Sequence, residues 1–346
     1  MCVVITAGGT GGHLFPAQNT ARELKEHIKG LEVVFMAKGL NTNSRFRREE
    51  FRYYDIPSGP ITPKKLLFST ASILYGVIKS IKLLRKLKPA VVVGFGSYHS
   101  FPVLVAAKLL GIDIILHEAN SIPGKVNKLF SPYAVWTGVF FPDAALHLKG
   151  KVVQTDIPLR KERSTRKEAL AHYGLPEDCF TILVFGGSLG ASRLNELAHD
   201  AITRLQKRVQ VLHFTGSSEE RLTYESRVRA HVAPFEHNMH YAWAAADLAI
   251  TRAGASTVAE SIAFGVPSIF IPYPQSADGH QDKNAAFVVE QIGGAVAFQE
   301  KGLSCKMIAD AIEKMDLIQM KKALTAACMQ KIHFTDLVAH YVKGKK

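Results

Sequence analysis

Two glycine-rich turns, one in each half of the 346-residue chain, hold the residues best suited to chemistry. The first reads GGTGGH at 8–13, after the apolar run VVI at 3–5, and the second reads GGSLGA at 186–191, after TILVF at 181–185. Each pattern predicts a buried strand, a tight turn and the start of a helix. Such a turn directs backbone N–H groups and the positive end of a helix dipole towards one point. The pair therefore predicts binding of an anion such as phosphate.

The first turn does not fit the dinucleotide-binding fingerprint. That fingerprint needs Gly-x-Gly-x-x-Gly and, about twenty residues later, an acidic residue for the ribose. Counted from Gly9, the third glycine is replaced by Leu14, and the next strand at 32–36 leads into Ala37 and Lys38 without a carboxylate. An NAD site is therefore not expected. Either turn alone could be a plain strand-to-helix connection, but two matched turns favour a ligand site.

More polar side chains follow the predicted strands in both halves, where ligands bind in parallel sheets. These loops and helix starts hold Ser97, Tyr98, Ser100, His117, Glu118, Asn120, Asn127, 251–257, Glu260, 278–281 and Asn284. Each has a structural alternative, since His117 alone could be a satisfied core histidine and Glu260 could pair with Arg252. Plain structural roles do not explain why such loops recur at predicted strand ends in both halves.

The elements that must position these residues alternate between strand and helix. Apolar runs predict strands at 2–6, 32–36, 90–94, 112–116, 134–137, 181–185, 209–214, 247–251 and 267–271. Helical patterns fall near 15–29, 72–88, 101–110, 123–130, 191–206, 255–264, 281–291 and 304–343. The alternation predicts an α/β fold of two doubly wound, Rossmann-like domains facing a cleft.

The polar segment 156–166 is the predicted linker. It would separate an N-terminal domain at 1–155 from a C-terminal domain at 167–330. The remaining residues, 331–346, are expected to form a helix and a basic tail that packs back on the N-terminal domain.

Composition excludes several classes of protein. Hydrophobic residues make up 47% and charged residues 21%, which is ordinary for a globular protein. The four cysteines show no metal-ligand or redox spacing, and no apolar run approaches the ~20 residues of a membrane span. The chain enters a strand at once, so no signal peptide is expected. These features predict a cytosolic protein.

The positive charge is concentrated in the N-terminal half. Residues 1–160 hold 21 Lys and Arg against 10 Asp and Glu, whereas the remainder holds 22 against 20. Such an imbalance predicts an anionic partner: membrane lipid, nucleic acid or a phosphorylated acceptor. Nucleic acid is not expected, because the basic stretch has neither a helix-turn-helix pattern nor interleaved aromatic residues.

One segment favours the membrane. Between 72 and 88, apolar residues recur at three- and four-residue spacings, and upstream lies the basic, apolar run KKLLF at 64–68. Helix and loop together resemble an interfacial segment on an anionic leaflet. The alternative is a surface helix that packs its apolar stripe on the sheet. The residues predicted to face the membrane are Lys64, Lys65, Leu67, Phe68, Lys79, Lys82 and Lys86.

Taken in order, these motifs resemble the MurG family of peptidoglycan N-acetylglucosaminyltransferases. The resemblance is carried by GGTGGH at 8–13, HEAN at 117–120, GGSLGA at 186–191, RAGA at 252–255 with Glu260, and HQ at 280–281 with NA at 284–285. It spans nearly the whole chain. It implies the GT-B architecture and transfer of N-acetylglucosamine, with inversion, from UDP-N-acetylglucosamine to lipid I to make lipid II.

The resemblance also implies where the substrates bind. Ser188 with its turn amides would hold the donor pyrophosphate, Glu260 the ribose, and the backbone near Phe235 the uracil. The implied donor-binding residues are Thr10, Gly11, Gly12, His13, Asn120, Arg160, Ser188, Phe235, Arg252, Ala255, Glu260, His280 and Gln281. The implied acceptor-binding residues are Gly9, Thr10, Gly11, Ser97 and Tyr98.

An inverting transfer needs a base for the acceptor hydroxyl and stabilisation of the departing UDP. His13 is the first candidate base and Glu118 the second, although His13 could instead bind acceptor phosphate. No Asp-x-Asp motif is present, so neither a metal nor another cofactor is expected. The implied partners are lipid I, an anionic membrane surface and other cell-wall synthesis enzymes, at the cytoplasmic face of the bacterial inner membrane.

The chain departs from the family pattern at three places. Phe101 is bulky where members carry a small residue, Ala119 replaces a glutamine, and Asp156 stands where an asparagine is frequent. They put the acceptor fit and the role of Arg160 in doubt. The rival activities are another GT-B transferase with a diacylglycerol acceptor, a UDP-sugar epimerase, and a UDP-sugar sensor or scaffold without turnover.

Overall fold

The computed structural model describes residues 1–59, 66–187, 191–216, 222–329 and 332–345, with the backbone alone for 66–69. The chain divides into two compact units: Met1–Leu159 with Lys331–Lys346, and Arg160–Gln330. The division after Leu159 falls inside the segment predicted as the linker.

The N-terminal unit is built on a seven-stranded parallel sheet. Its strands are β1 (Cys2–Thr6), β2 (Glu32–Ala37), β3 (Arg52–Asp55), β4 (Val91–Gly94), β5 (Ile114–Glu118), β6 (Trp136–Val139) and β7 (Val152–Gln154), in the order β3-β2-β1-β4-β5-β6-β7. Its helices include α1 (Gly11–His27), α2 (Leu66–Leu87), α3 (Phe101–Leu109) and α4 (Lys125–Phe130). Short 3-10 turns follow at Ser131–Tyr133 and Pro142–His147.

The C-terminal unit contains a six-stranded parallel sheet. Its strands are β8 (Phe180–Phe185), β9 (Val209–Phe214), β10 (Arg229–Ala233), β11 (Leu248–Thr251), β12 (Ser268–Phe270) and β13 (Ala295–Ala297), in the order β10-β9-β8-β11-β12-β13. Its helices include α5 (Arg166–His172), α6 (Ser192–Arg204), α7 (Met239–Ala245), α8 (Ala255–Phe264), α9 (His280–Ala286), α10 (Cys305–Lys314) and α11 (Leu317–Cys328). The fold class of two parallel, Rossmann-like domains is confirmed.

The central strands are buried and largely apolar because both faces of each sheet are covered by helices. In β1 the side chains alternate: Val3 and Ile5 enter the core beneath α1, whereas Cys2 and Val4 enter the core beneath α2 and α3. This two-residue period is the geometry of any strand. It explains why β1 reads as a continuous apolar run.

Each sheet reverses its strand order once. In the N-terminal unit the reversal lies between β1 and β4, and in the C-terminal unit between β8 and β11. Such switch points are where open α/β sheets bind ligands, because the loops leave the two neighbouring strands in opposite directions. The two glycine turns follow β1 and β8, so each emerges at the switch point of its own sheet.

Four strands were not predicted from the sequence, and all four are edge strands of their sheets: β3, β7, β10 and β13. Edge strands are half solvated, so they carry few apolar residues; β3, for example, reads RYYD. Neither α5 nor α7 was predicted from the sequence, and α5 begins at Arg166, the last residue of the predicted linker. The region 304–343 holds α10, α11 and a third helix.

That third helix, α12 (Phe334–Gly344), belongs to the N-terminal unit. Its Phe334 and Val338 enter the core beneath α1. Asp156 holds the start of the helix, since its Oδ1 accepts the Phe334 N–H at 2.8 Å and its Oδ2 accepts His333 Nδ1 at 2.7 Å. This ion pair raises the pKa of His333.

Candidate functional site

The first glycine turn orients one histidine. Thr10 ends the turn, and α1 begins at Gly11, with the Thr10 carbonyl accepting the N–H groups of His13 and Leu14. The Thr10 hydroxyl caps no backbone group; instead its Oγ1 lies 2.9 Å from His13 Nδ1. Gly12 lies beside them in the first turn of the helix. The hydrogen bond fixes the imidazole in the solvent-accessible first turn of α1.

Two side chains of the loop after β4 reach this turn. A Cβ added to Gly8 would lie 2.6 Å from Ser97 Cβ, and one added to Gly9 would lie 3.4 Å from His99 Nε2. Ser97 has a left-handed backbone (φ +71°), which is rare for a residue with a Cβ. The structure thus brings Ser97 against Gly8, and His99 against Gly9. Tyr98, in the same loop, is partly exposed and stacks on His99.

Asn43 is a neighbour that the sequence analysis missed. Its Nδ2 donates to the Gly9 carbonyl at 2.7 Å, so the loop between β2 and β3 braces the turn. His99 was not predicted either, although it lies between Tyr98 and Ser100 in the loop after β4. Asn43 lies in a loop with no pattern, and nothing in its sequence context signals this contact.

Glu118, the second candidate base, is buried and engaged on both oxygens. Oε1 accepts the N–H of Asn120 at 3.0 Å, and Oε2 accepts Gly124 N–H and Asn127 Nδ2, each at 2.9 Å. Burial raises the pKa of Glu118, although these N–H donors lower it. The carboxyl fastens the loop between β5 and α4, and Asn120 is half-buried beside it.

His117 is a core residue. Its Nε2 donates to the Asp156 carbonyl at 3.0 Å, and its ring packs on Phe95 and Phe334. Burial lowers the pKa of His117 to about 4, so the imidazole is neutral at neutral pH. The structural alternative for this residue therefore describes it well.

The second glycine turn is equally tight. A Cβ on Gly186 would lie 2.2 Å from Ala191 Cβ, and Gly187 has φ +97°. Both positions therefore require glycine, the first for close approach and the second for a left-handed backbone. Ser188 lies outside the described residues.

Arg252 has internal partners. Its Nη1 donates to the carbonyls of Ile271 and Pro272 at 3.0 and 3.2 Å, and its Nη2 lies 2.6 Å from Glu300 Oε2. The guanidinium is nearly buried. The suggested pairing of Arg252 with Glu260 is therefore wrong, because Arg252 pairs with Glu300.

Glu260 lies in the second turn of α8. Its Oε2 accepts Trp243 Nε1 at 3.0 Å. Burial raises the pKa of Glu260 to about 7, while Trp243 and the positive charges of Arg160 and Arg163 lower it. Arg160 Nη1 donates to the His237 carbonyl at 3.3 Å. The Glu260 carboxyl and the Arg160 guanidinium therefore lie in the same region of this unit, and Arg160 contacts the loop that contains His237.

Four more of the predicted donor residues lie in the same unit. Ala255 begins α8 directly after the loop at its N-terminus, and Phe235 is exposed after β10. Gln281 Oε1 accepts the Tyr273 N–H at 2.9 Å, and His280 Nδ1 donates to the Ala277 carbonyl at 2.7 Å. Thr10, Gly11, Gly12, His13 and Asn120, in contrast, belong to the N-terminal unit.

Helix α2 presents a mixed surface. Leu74, Tyr75 and Ile78 are 60%, 60% and 45% exposed, and Lys82 and Lys86 continue the same stripe at four-residue spacing. Lys79 differs, because its Nζ donates to the Asp55 carbonyl at 2.8 Å. Lys64 and Lys65 lie outside the described residues, as do the side chains of Leu67 and Phe68.

Within the described residues, no group of three or more His, Cys, Asp or Glu side chains could hold a metal ion. No helix among the same residues is long and apolar enough to span a membrane.

Known proteins match this chain along its length. Residues 3–138 match the glycosyltransferase family 28 N-terminal domain, and residues 181–341 match the C-terminal domain of that family. A UDP-N-acetylglucosamine–N-acetylmuramyl-(pentapeptide) pyrophosphoryl-undecaprenol N-acetylglucosamine transferase of Protochlamydia amoebophila is 44% identical over 93% of this chain and 90% of its own. The protein of the same name from Chlamydia muridarum is 36% identical over 87% and 86%.

Solved structures of glycosyltransferases also resemble this chain. The crystal structure of Acinetobacter baumannii MurG superimposes with a TM-score of 0.78 at 26% identity and covers 99% of both chains. The spinosyn rhamnosyltransferase SpnG, at 14% identity and a TM-score of 0.72 over 98% and 99% of the chains, shares the fold. By the family matches and the 44% identity, this chain belongs to the MurG family of glycosyltransferase family 28.

Proposed function

We propose that this chain transfers N-acetylglucosamine from UDP-N-acetylglucosamine to the muramyl sugar of lipid I, with inversion, to make lipid II. The observation that carries the proposal is the pair of glycine turns, each at the switch point of its own sheet. One turn suits the diphosphate of a nucleotide sugar and the other the diphosphate of a lipid-linked sugar. The names of the relatives supply the identities of the two substrates.

The test is transfer of radiolabelled N-acetylglucosamine from the UDP donor to a short-chain lipid I analogue, with diacylglycerol in a parallel reaction. We expect label on the lipid I analogue alone. Label on diacylglycerol would assign the chain to glycolipid synthesis. No label on either acceptor, together with retained UDP-sugar binding, would favour a sensor.

The donor is proposed to bind the C-terminal unit. Ser188 and the neighbouring amides hold the pyrophosphate, Arg160 contributes a positive charge, and the backbone near Phe235 contacts the uracil. Glu260 accepts hydrogen bonds from the two ribose hydroxyls. Arg252 positions the loop before α8 through its carbonyl contacts and Glu300, rather than contacting the donor.

The Glu260 carboxyl predicts a pH-dependent donor affinity. Ribose hydroxyls donate to the carboxylate, so binding favours the ionised form, and the pKa of about 7 means that this form is lost as the pH falls. We expect the donor KM to rise as the pH falls from about 8 to 6, with one ionisation. Glu260→Gln should raise the donor KM about tenfold at pH 8 and remove this pH dependence.

The control is Glu290→Gln, which changes an exposed carboxyl of the same unit. It should keep the wild-type donor KM at every pH. A Glu260→Gln enzyme that retains the wild-type pH dependence of the donor KM would remove Glu260 from the ribose site.

The base is proposed to be His13. With Nδ1–H donating to Thr10 Oγ1, the lone pair lies on Nε2, which is the form that accepts a proton from the acceptor hydroxyl. Glu118 is less suited, because its two oxygens hold the loop between β5 and α4. No metal is assigned a role in this proposal.

The N-terminal unit is proposed to rest on the cytoplasmic face of the inner membrane. Leu74, Tyr75 and Ile78 supply apolar area, and Lys82 and Lys86 supply positive charge at the same helix surface. A mixed surface of this kind binds anionic lipid by partial insertion and by charge.

Vesicle binding tests the membrane proposal. Each basic residue near an anionic surface contributes about 1 kcal/mol, so Lys82→Glu with Lys86→Glu should weaken binding to phosphatidylglycerol vesicles by at least about tenfold. The control is Lys306→Glu with Lys314→Glu, which makes the same change in net charge on exposed residues of the other unit. Equal losses in both double variants would show that only net charge matters.

A further inference from the structure

His99 lies in a loop whose backbone is held from several sides. Ser100 Oγ donates to the carbonyls of Gly96 and Ser97 at 2.9 and 2.8 Å, and Ser58 Oγ donates to the Tyr98 carbonyl at 2.7 Å. Gly96 and Ser97 both have left-handed backbones. This conformation turns the chain sharply after β4 and brings His99 against the first glycine turn.

The His99 ring is oriented on three sides. Its Nδ1 lies 2.9 Å from Ser97 Oγ, and one face stacks on Tyr98 with ring centres 4.1 Å apart. Its Nε2 faces Gly9, at 3.4 Å from the position that a Cβ would take. Asn43 Nδ2 approaches the same position to 3.4 Å. Two nitrogen groups therefore converge on the outer side of the turn.

The charges around His99 leave room for an anion. Lys38, directly after β2, and Asp55, at the end of β3, act on the charge of His99, and Tyr98 stacks on its ring; His13 on α1 lies beside the neighbouring Gly8. Asp55 is hydrogen-bonded to the backbone, since its two oxygens accept the N–H groups of Gly39 and Asn41 at 3.0 and 3.1 Å. Burial and the positive charge of Lys38 lower the pKa of His99, whereas Asp55 raises it.

We propose that His99 binds the diphosphate of the lipid-linked acceptor and takes up a proton from solvent when that anion enters. This inference rests on the proposed transferase function. The imidazolium then donates from Nε2 to a phosphate oxygen beside Gly9, while Ser97 Oγ accepts from Nδ1–H. The only bond change is the transfer of one proton from solvent hydronium to Nε2, which breaks an O–H bond and forms an N–H bond. Acceptor binding is thereby coupled to protonation of a residue that does not take part in the chemical step.

The coupling makes the acceptor KM fall as the pH falls through the His99 titration. A diphosphate esterified at both ends lacks the ionisation that gives a phosphate monoester its second pKa of about 6. A titration seen in the acceptor KM therefore belongs to the protein. His13, as the proposed base, acts on kcat rather than on the acceptor KM.

The test measures both Michaelis constants between about pH 5 and 8, a range that extends well below the ordinary histidine pKa because the pKa of His99 is lowered. His99→Gln should raise the KM for the short-chain lipid I analogue about tenfold at pH 6, the loss of one charge-assisted hydrogen bond. It should also flatten the pH dependence of that KM and leave the donor KM unchanged. His99→Lys, with a permanent charge, should restore a low, pH-independent acceptor KM. His147→Gln, at an exposed site in the same unit, is the control.

Two results would overturn the inference. The first is a His99→Gln enzyme that keeps the wild-type pH dependence of the acceptor KM. The second is a His99→Gln enzyme whose donor and acceptor KM values are both raised, with neither value lowered again in His99→Lys. That second result would indicate a structural role. A titration of the His99 ring by NMR, with and without the analogue, tests binding independently of turnover. We expect the analogue to raise the pKa of His99, and an unchanged titration would refute the inference even if the wild-type enzyme transferred no sugar.

Discussion

Replacing His13 with glutamine is expected to lower the kcat of sugar transfer by a factor of about 10² to 10⁴, the range found for loss of a general base. Glutamine keeps a polar group within reach of Thr10 but cannot accept a proton at neutral pH. The hydrogen bond from Nδ1 to Thr10 Oγ1 at 2.9 Å holds the base orientation, so Thr10→Ala should lower kcat as well, by a smaller factor. Both variants should retain the wild-type donor KM.

Steady-state kinetics with both substrates varied measure these changes. His147→Gln, which replaces an exposed histidine elsewhere in the same unit, should leave kcat unchanged. The alternative role of His13 gives a different pattern: a residue that only binds acceptor phosphate would raise the acceptor KM and leave kcat nearly intact. That pattern would exclude His13 as the base, and Glu118→Gln would then be the next variant to measure.

The glycine turns were predictable because their function constrains their sequence. Gly186 packs so closely on Ala191 that no side chain fits there. The position therefore requires glycine, which is visible in the sequence. The central strands were predictable for a similar reason, since burial on both faces favours runs of apolar residues. The edge strands carry no such constraint. RYYD at β3 is stabilised by pairing with β2, and that pairing is invisible in the local sequence.

Roles that depend on long-range partners were not predictable. Arg252 precedes a glycine loop, as a phosphate-binding arginine would, but its partner Glu300 lies 48 positions further along the chain. Lys79 shares its helix with Lys82, yet only Lys79 reaches the Asp55 carbonyl. Charge and spacing restrict which residues can contact a ligand, whereas the tertiary fold decides which of them are already paired.

One aromatic side chain, Phe334, contributes to the packing of the C-terminal segment on the N-terminal unit. Phe334 is fully buried, and its ring meets those of Phe95, His117 and Trp136 with centres 4.7 to 5.7 Å apart. A Cβ on Gly138 would lie 2.7 Å from the Phe334 ring, so the strand β6 has no side chain there. The ring therefore fills a space that no neighbouring side chain can reach by a small shift.

Phe334→Ala is expected to lower the free energy of unfolding by about 3 to 5 kcal/mol, the cost of removing a buried phenyl ring and leaving a cavity. Urea denaturation followed by circular dichroism measures the change, and hydrogen exchange along α12 locates it. Ile332→Ala removes a half-exposed side chain two positions earlier and should cost less than about 1 kcal/mol. Similar, small losses in both variants would mean that α12 unfolds independently and adds little to the N-terminal core. A large loss confined to Phe334→Ala would show that α12 completes the core of the unit that carries the first glycine turn.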